Sequence, residues 1–398
     1  MERVSICSHL PPTCVPTSCQ GSSSASYRAP MSTAALLPLR PLGTTTLRAS
    51  VLGLGGCGLG DIYGSVTESD AVDTVLRALE LGITLVDTSP NYGQGKSESR
   101  IGTALSTTAT SPAVPLTLVT KCGDKGPQNG EHSPFSKQGV LSSFQCSQSR
   151  LYPGQVDVLL LHDPTLAELD EFFSPGTGGV EAFQELKRSG EVRATGIGVR
   201  EHDVLARFMT HPTSVADIIL PVNDWNLLRR YASANILPLA KQLGICVLNG
   251  GPLYMGLLAG VPPKVSFSEG IKSEIEAPRL LALASQMHAW SLQEGIDLRA
   301  LALRFATGMW PVDEPGADAV EIAYGIRSPQ NFAPPIASAL VGAKSPLEIE
   351  EVVRSFEAVT VGGGSDWMAV AFEEEFGLSV EALANDDHWF YNKAEVVL

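Results

Sequence analysis

From residue 50 onward the chain alternates short apolar runs with stretches whose apolar residues recur every three or four positions. The runs are 50-SVLGLGG-56, 82-GITLVD-87, 115-PLTLVTK-121, 156-VDVLLLH-162, 192-VRATGIGV-199, 216-ADIILPVN-223, 244-GICVLNG-250 and 337-ASALVGA-343. Most are nearly continuous in apolar side chains, the pattern of parallel strands buried on both faces. Helical periodicity fills the intervals. In 69-SDAVDTVLRALELG-82, Val72, Val75, Leu76 and Leu79 share one face. Thr67 to Asp70 has the spacing of a capping box, and Gly82 stands where a helix closes. The segments 180-VEAFQELKRSG-190, 233-SANILPLAKQLG-244 and 279-RLLALASQMHAWSLQEG-295 repeat the helical pattern. About eight strand–helix units in a row predict an α/β fold, a (β/α)8 TIM barrel.

The barrel is expected over residues 46–361, interrupted by a proline-rich surface insertion at 309–335. A tail, 362–398, carries 386-DDHWFYN-392 and either caps the barrel or packs on its side. The first 50 residues hold a single acid, Glu2, and a low-complexity patch, 21-GSSSAS-26. That bias suits a mitochondrial transit peptide, but 11-PPTCVP-16 would break its amphipathic helix, and Met31 reads as a natural start. Residues 1–45 are therefore read as a disordered extension, with mitochondrial targeting as the alternative to a cytoplasmic location.

Composition narrows the function. The 398 residues are 44% hydrophobic and 18% charged, with a net charge of −15. Such a surface repels phosphate backbones and anionic lipid, so neither nucleic acid nor membrane is an expected partner. The seven cysteines are odd in number and form no C-x-x-C pair, so free thiols are expected and no metal site.

Two motifs look informative and are set aside. Gly53, Gly55 and Gly58 satisfy G-x-G-x-x-G, but a dinucleotide fold needs a helix at the third glycine, and Leu59 to Ser65 intervene. Close backbone approach at the barrel mouth is the expected role of these glycines. Tyr92 and Lys96 match Y-x-x-x-K, yet Gly93 and Gly95 argue against the helix that would align them. Lys96 is expected to be a solvated loop residue.

Barrel active sites lie at the C-terminal ends of the strands. There the second strand ends in Asp87, with Tyr92 in its loop, the third in Lys121 and the fourth in His162. A phenol's ordinary pKa of about 10 is too high for proton transfer near neutrality. A lysine ammonium beside it is expected to lower that value, and a buried lysine needs a carboxylate such as Asp87. His162 is placed to orient a substrate oxygen. The group suits proton transfer to or from an oxygen but supplies no hydride, so a cofactor is required.

Asp87, Tyr92, Lys121 and His162 match, one by one, the catalytic tetrad of the aldo-keto reductases, and the chain resembles that family over about residues 40–360. The resemblance includes 87-DTSPNYGQGKSESRIGTAL-105, 120-TKCG-123, 160-LLHDP-164, 249-NGGPLYMGLLAG-260 and 341-VGAKSPLEIEEVV-353. Within the family, 51-VLGLGGCGLGDIYG-64, 196-GIGVREHD-203 and 244-GICVLNGGPLYMGLL-258 look like sugar-oxidising members: D-threo-aldose (L-fucose), D-arabinose and L-galactose 1-dehydrogenases. The resemblance implies a nicotinamide cofactor across the barrel mouth and a sugar whose C1 hydroxyl meets Tyr92 and His162. Tyr92, as phenolate, then takes the proton while hydride leaves C1, giving a lactone. It further implies that Asn223 or Trp225 lines the nicotinamide pocket, and that Gly250, Gly251, Pro252 and Leu253 follow the phosphates. Gly342, Lys344, Ser345 and Glu348 fall at the adenosine end. Trp225, Tyr254 and Trp389 either stack on the sugar or pack. Members that take NADPH commonly carry an arginine about where Glu348 stands, and a glutamate there would repel a 2′-phosphate. NAD is therefore expected, with NADP as the alternative. A general aldehyde or ketone reductase and a non-catalytic cofactor-binding subunit are the competing functions.

Overall fold

A computed structural model describes residues 37–107, 115–124, 126, 131–263, 276–309, 335–360, 368–369 and 371–377. Residues 1–36, most of the 309–335 insertion and the tail beyond 377 lie outside the described residues. A short hairpin, β1 (Leu39–Pro41) and β2 (Arg48–Ser50), precedes eight strands. These are β3 (Leu52–Gly55), β4 (Leu85–Asp87), β5 (Thr117–Cys122), β6 (Val158–His162), β7 (Ala194–Gly198), β8 (Ile218–Leu220), β9 (Cys246–Gly250) and β10 (Ile336–Gly342). All eight pair in parallel and in chain order, and β10 returns to β3, closing a barrel. Each falls within or at the edge of one of the eight apolar runs.

Around the barrel lie α1 (Glu68–Glu80), α2 (Lys96–Thr107), α3 (Lys137–Leu151), α4 (Leu166–Phe172) and α5 (Gly179–Ser189). They are followed by α6 (His202–Thr210), α7 (Ile236–Leu243), α8 (Glu276–Glu294), α9 (Leu298–Ala306) and α10 (Pro346–Thr360). The α1 cap forms as its residues dictate: the Thr67 side chain accepts from the Asp70 N–H, and Gly82 takes φ 85° just past the end. No helix among the described residues is long and apolar enough to cross a membrane.

Two shells of buried side chains result. Leu85, Val119, Val158, Leu160, Ile218, Leu248 and Leu340 fill the barrel interior. The larger outer shell, between strands and helices, includes Val86, Leu118, Leu159, Phe183, Phe208 and Phe305.

The hairpin corrects the expected domain boundary. Residues 37–45 are ordered, and Leu42 and Leu47 are buried within the interior cluster. Ser50 and Thr84, before β4, exchange hydrogen bonds of 2.8 and 2.9 Å, and Arg40 donates to the Ile336 carbonyl at 2.8 Å. The hairpin therefore closes the end of the barrel where the strands begin. Two apolar residues five positions apart in a proline-flanked segment carry no periodic signal, which is why they read as extension.

Candidate active site

Alternation along a strand decides which side chains reach the mouth. Leu85, Val119 and Leu160 point into the barrel, so the residues two further on, Asp87, Lys121 and His162, point the same way at the strand ends. Tyr92 comes from the loop after β4. Its position is set by backbone-to-backbone packing against the Gly58–Gly60 turn. A Cβ on Gly60 would lie 2.5 Å from the Tyr92 carbonyl carbon, and one on Gly93, at φ 66°, would lie 2.3 Å from the Gly60 oxygen. The glycine-rich segment thus serves close approach, and no dinucleotide-fold helix follows it: α1 starts at Glu68. Lys96 opens α2 rather than a loop, and its exposed ammonium pairs with Asp61 at 3.0 Å.

The four predicted groups meet. The Lys121 ammonium donates to both Asp87 carboxylate oxygens at 2.8 Å, to the Thr88 carbonyl at 2.8 Å and to the Tyr92 phenol oxygen at 3.1 Å. Lys121 and Asp87 are buried, while Tyr92 stands half-buried at the rim. The rings of Tyr92 and His162 meet edge to face, with centroids 5.9 Å apart, and border the same space.

Their electrostatics depart from expectation. Burial, with the nearby Cys57 and Asp87, pushes the Tyr92 phenol well above its ordinary value. Lys121 was expected to lower it. The ammonium is already neutralised by Asp87 at two 2.8 Å contacts, so the phenol feels an ion pair rather than a bare cation. Burial also raises the Asp87 carboxyl, against the pull of Lys121. The Cys57 thiol, hydrogen-bonded to Tyr92, is pushed by burial up to about 11.

Asp124 and Ser89 complete the site and were not read from the sequence. His162 Nδ1 lies 2.8 and 3.0 Å from the two Asp124 oxygens, and the Ser89 hydroxyl donates to Asp124 at 3.0 Å. Burial lowers the His162 imidazole, but Asp124 and Asp163 outweigh it and raise the group overall. Asp124 stands three residues beyond Lys121; the string 121-KCGD-124 placed it past the strand end, the one available signal.

A nicotinamide group fits this mouth. Asn223, at φ 61°, has a buried side-chain oxygen with no hydrogen-bond partner, and that oxygen rests on Gly251, where a Cβ would lie 1.9 Å from it. An unpaired buried amide oxygen in the loop after β8 is suited to accept from a carboxamide. Gly342 ends β10 in open space, and Gly250, Gly251, Pro252 and Leu253 run past the end of β9. At the start of α10, Lys344 donates its backbone N–H to Glu348 at 2.7 Å, and Glu348 donates its own to Ser345 at 3.3 Å.

The aromatic candidates are corrected. Trp225 is 1% exposed and stacks on Phe305 of α9 at 4.7 Å, and Tyr254 is buried in the same outer shell. Both are packing residues: Trp225, in the loop after β8, and Tyr254, just past β9, are buried among the side chains of the outer shell. Trp389 lies outside the described residues.

A parallel eight-stranded barrel with a tyrosine, a lysine–aspartate pair and a histidine at its mouth defines an oxidoreductase that relies on a nicotinamide. The model of the aldo/keto reductase family matches residues 51–361, and the chain belongs to that family. It is 36% identical to L-galactose dehydrogenase of Arabidopsis thaliana over 249 residues, 61% of this chain and 74% of the relative. It is 28% identical to D-threo-aldose 1-dehydrogenase of Pseudomonas sp over 238 residues, 55% of this chain and 70% of the relative. It is 30% identical to NADH-specific methylglyoxal reductase of Escherichia coli over 233 residues, 55% and 68% of the two chains. Among solved structures, the holo form of an aldo-keto reductase from Bacillus halodurans superposes with a TM-score of 0.61 at 25% identity, covering 84% of this chain and 96% of that one.

Proposed function

We propose that the protein is an NAD-dependent aldose 1-dehydrogenase, oxidising a sugar of the D-arabinose, L-fucose or L-galactose type at C1 to its lactone. The observation that carries the redox chemistry is the 3.1 Å contact between Tyr92 and a Lys121 already paired with Asp87. The similarity to L-galactose and D-threo-aldose dehydrogenases supports a sugar. The bound nicotinamide would supply or accept the hydride. Asn223 would hold its carboxamide, and Gly250, Gly251, Pro252 and Leu253 would lie along its phosphates. Gly342, Lys344, Ser345 and Glu348 would face the adenosine end.

The chain's own residues do the rest. Tyr92 presents its hydroxyl to the substrate oxygen and, being neutral, donates a proton to a carbonyl in the direction of reduction. His162 fixes that oxygen from the other side. The half-exposed Asp163 carboxylate, at φ 40° on the rim, offers an acceptor to sugar hydroxyls.

The NAD preference follows from the start of α10. The exposed Glu348 carboxylate already caps this end, accepting the Lys344 N–H, and the Lys344 ammonium turns away to the Tyr63 carbonyl at 3.1 Å. A 2′-phosphate brought here meets a negative charge and no free cation from Lys344. The test is a screen of stereoisomeric pentoses and hexoses, following reduction of NAD and NADP. Oxidation of at least one such sugar, with NAD favoured about tenfold or more, is expected. A tenfold preference for NADP overturns the cofactor assignment. Reduction of aromatic aldehydes with no sugar oxidised favours the general reductase instead.

A further inference from the structure

Tyr92 stands in a loop rather than on a strand, so something outside the loop has to fix its phenol beside Lys121. We infer that Arg100, on α2, is a positioning residue for Tyr92: it locks the Gly58–Gly60 turn into the wall against which the Tyr92 backbone rests. The inference rests on the proton-transfer role proposed for Tyr92 above and on no particular substrate.

The backbone hydrogen bonds of Tyr92 run to its own segment. Its N–H donates to the Ser89 carbonyl at 3.1 Å, and its carbonyl accepts from Ser97 at 3.2 Å. The wall comes from the turn after β3, and it meets the loop with no side chain between them. A Cβ on Gly60 would lie 2.6 Å from the Tyr92 carbonyl oxygen and 2.9 Å from the Tyr92 Cβ. Close-packed backbone passes displacement on, so a shift of the turn becomes a shift of Tyr92.

The turn itself is glycine-rich and weakly bonded within. Gly60 donates to Cys57 at 3.1 Å and Asp61 to Gly58 at 3.4 Å. The stronger hold comes from α2. The Arg100 guanidinium donates to the Leu59 carbonyl, to the Asp61 carboxylate at 3.0 Å and to the Val66 carbonyl at 2.9 Å. A planar fork can grip acceptors this far apart in the chain, where a lysine ammonium is a single point. The Arg100 side chain is 13% exposed, so water has little room to replace it. Lys96 and Lys344 hold Asp61 and the Tyr63 carbonyl, at 3.0 and 3.1 Å, whereas Arg100 grips Leu59, next to the glycine that touches Tyr92.

These contacts form a closed path. The helix that ends the Tyr92 loop, α2, starts at Lys96, and Arg100 lies about one helical turn further on. The same helix therefore carries the end of the loop and the residue that fixes the wall in front of it. The phenol is left 3.1 Å from the Lys121 ammonium. A shift of about half an ångström takes that contact past hydrogen-bonding length.

The test compares the wild-type protein with Arg100→Ala and Arg100→Lys. In the crystal structure of Arg100→Ala the Tyr92 oxygen should stand more than about 3.5 Å from the Lys121 ammonium, with the Asp87–Lys121 pair intact. On the substrate that wild type turns over fastest in the screen above, kcat should fall about tenfold to a hundredfold, while the Kd for NADH stays within about a factor of two. The solvent deuterium isotope effect on kcat should rise, because proton transfer through a misplaced phenol becomes the slow step. Arg100→Lys keeps a cation for Asp61 but loses the fork, and should recover part of the loss. It carries the same measurements if Arg100→Ala does not fold. A Tyr92–Lys121 contact that stays at 3.1 Å, or a broken contact with undiminished turnover, overturns the inference. So does a lower kcat with an unchanged isotope effect, which marks a smaller folded fraction instead. If wild type turns over neither sugar nor aldehyde, the proposed function fails, while the crystal structures still decide whether Arg100 places Tyr92.

Discussion

Lys121 has three hydrogens and four acceptors around it: both Asp87 oxygens, the Thr88 carbonyl and the Tyr92 phenol. The charge is buried, so neither partner can lose the other and turn to water. Lys121→Met leaves the Asp87 carboxylate buried without a cation, and the expected cost is about 3–5 kcal/mol, read from the shift of the urea midpoint. Asp87→Asn with Lys121→Met removes both charges, so most of that stability should return, while turnover should not, since the phenol has lost its ammonium. A double variant as unstable as Lys121→Met alone would show that the loss comes from packing rather than from charge. Asp87, Lys121 and His162 could be named from the sequence because each ends an apolar run, where barrel geometry leaves one place to go. The state of Tyr92 could not, because the field of Lys121 at the phenol depends on how closely Asp87 neutralises it, a matter of ångströms. Asp124 escaped for a related reason: a carboxylate two residues past a strand in an aperiodic loop is one of many, until folding sets it against His162.

At the scale of elements, strands were legible and several helices were not. The eight strands are buried on both faces, so their apolar runs are nearly unbroken. The buried positions of α2 are Ser97, Glu98, Ile101, Gly102 and Ala104, and those of α3 include Gly139, Ser143 and Ser147. Small and polar residues occupy the inner faces because the two helices approach closely. A Cβ on Gly102 would stand 2.1 Å from the Arg150 carbonyl oxygen. The buried Glu98 is satisfied by Thr120 and Arg150, both at 2.6 Å. Hydrophobic period is therefore absent where contact is tightest. The start of α2 is tied to the Gly58–Gly60 turn through Asp61, which accepts from the Val66 N–H at 2.9 Å and from Arg100 and Lys96 at 3.0 Å. Burial alone would raise the Asp61 carboxyl, but these three donors bring it down to about 2. Its folded value lies below its unfolded one, so the stabilisation is complete above about pH 4 and is lost as pH falls towards 2. Asp61→Asn should be less stable than wild type at pH 6 and nearly equal to it at pH 2, with urea midpoints across that range as the measure. A gap between the two proteins that does not narrow with acid would remove Asp61 from the acid response.

Across the whole barrel, the two ends are closed by different means. The floor is apolar, with Leu42 and Leu47 of the hairpin loop inserted among interior side chains. The mouth is braced by buried charge. His202, opening α6, reaches Asp224 at 3.2 Å, and Asp224 pairs with Arg229 at 2.6 Å, joining the loops after β7 and β8. The adjacent Arg230 makes a buried two-pronged pair with Glu373, at 2.9 and 2.6 Å, from the helical residues 371–377 near the C-terminus. Phe372 and Phe376 pack edge-on against Trp290 of α8, seating those residues on the barrel. The segment so held begins with Asn223, the proposed carboxamide partner, whose buried side-chain oxygen has no hydrogen-bond partner. Helical residues 371–377 should therefore act on cofactor binding without touching the cofactor. In Glu373→Gln a buried guanidinium keeps its shape-matched neighbour but loses the opposing charge, which should cost about 3 kcal/mol in the urea midpoint. The loop carrying Asn223 should loosen with it, and the Kd for NADH should rise about threefold to tenfold, while kcat at saturating NAD stays within a factor of two. Titration of NADH fluorescence on wild type and variant measures the first effect, and steady-state kinetics the second. Lost stability with an unchanged Kd would mean that Arg230 and Glu373 secure helical residues 371–377 and leave the position of Asn223 to the backbone hydrogen bond, 2.9 Å long, that it donates to Gly250.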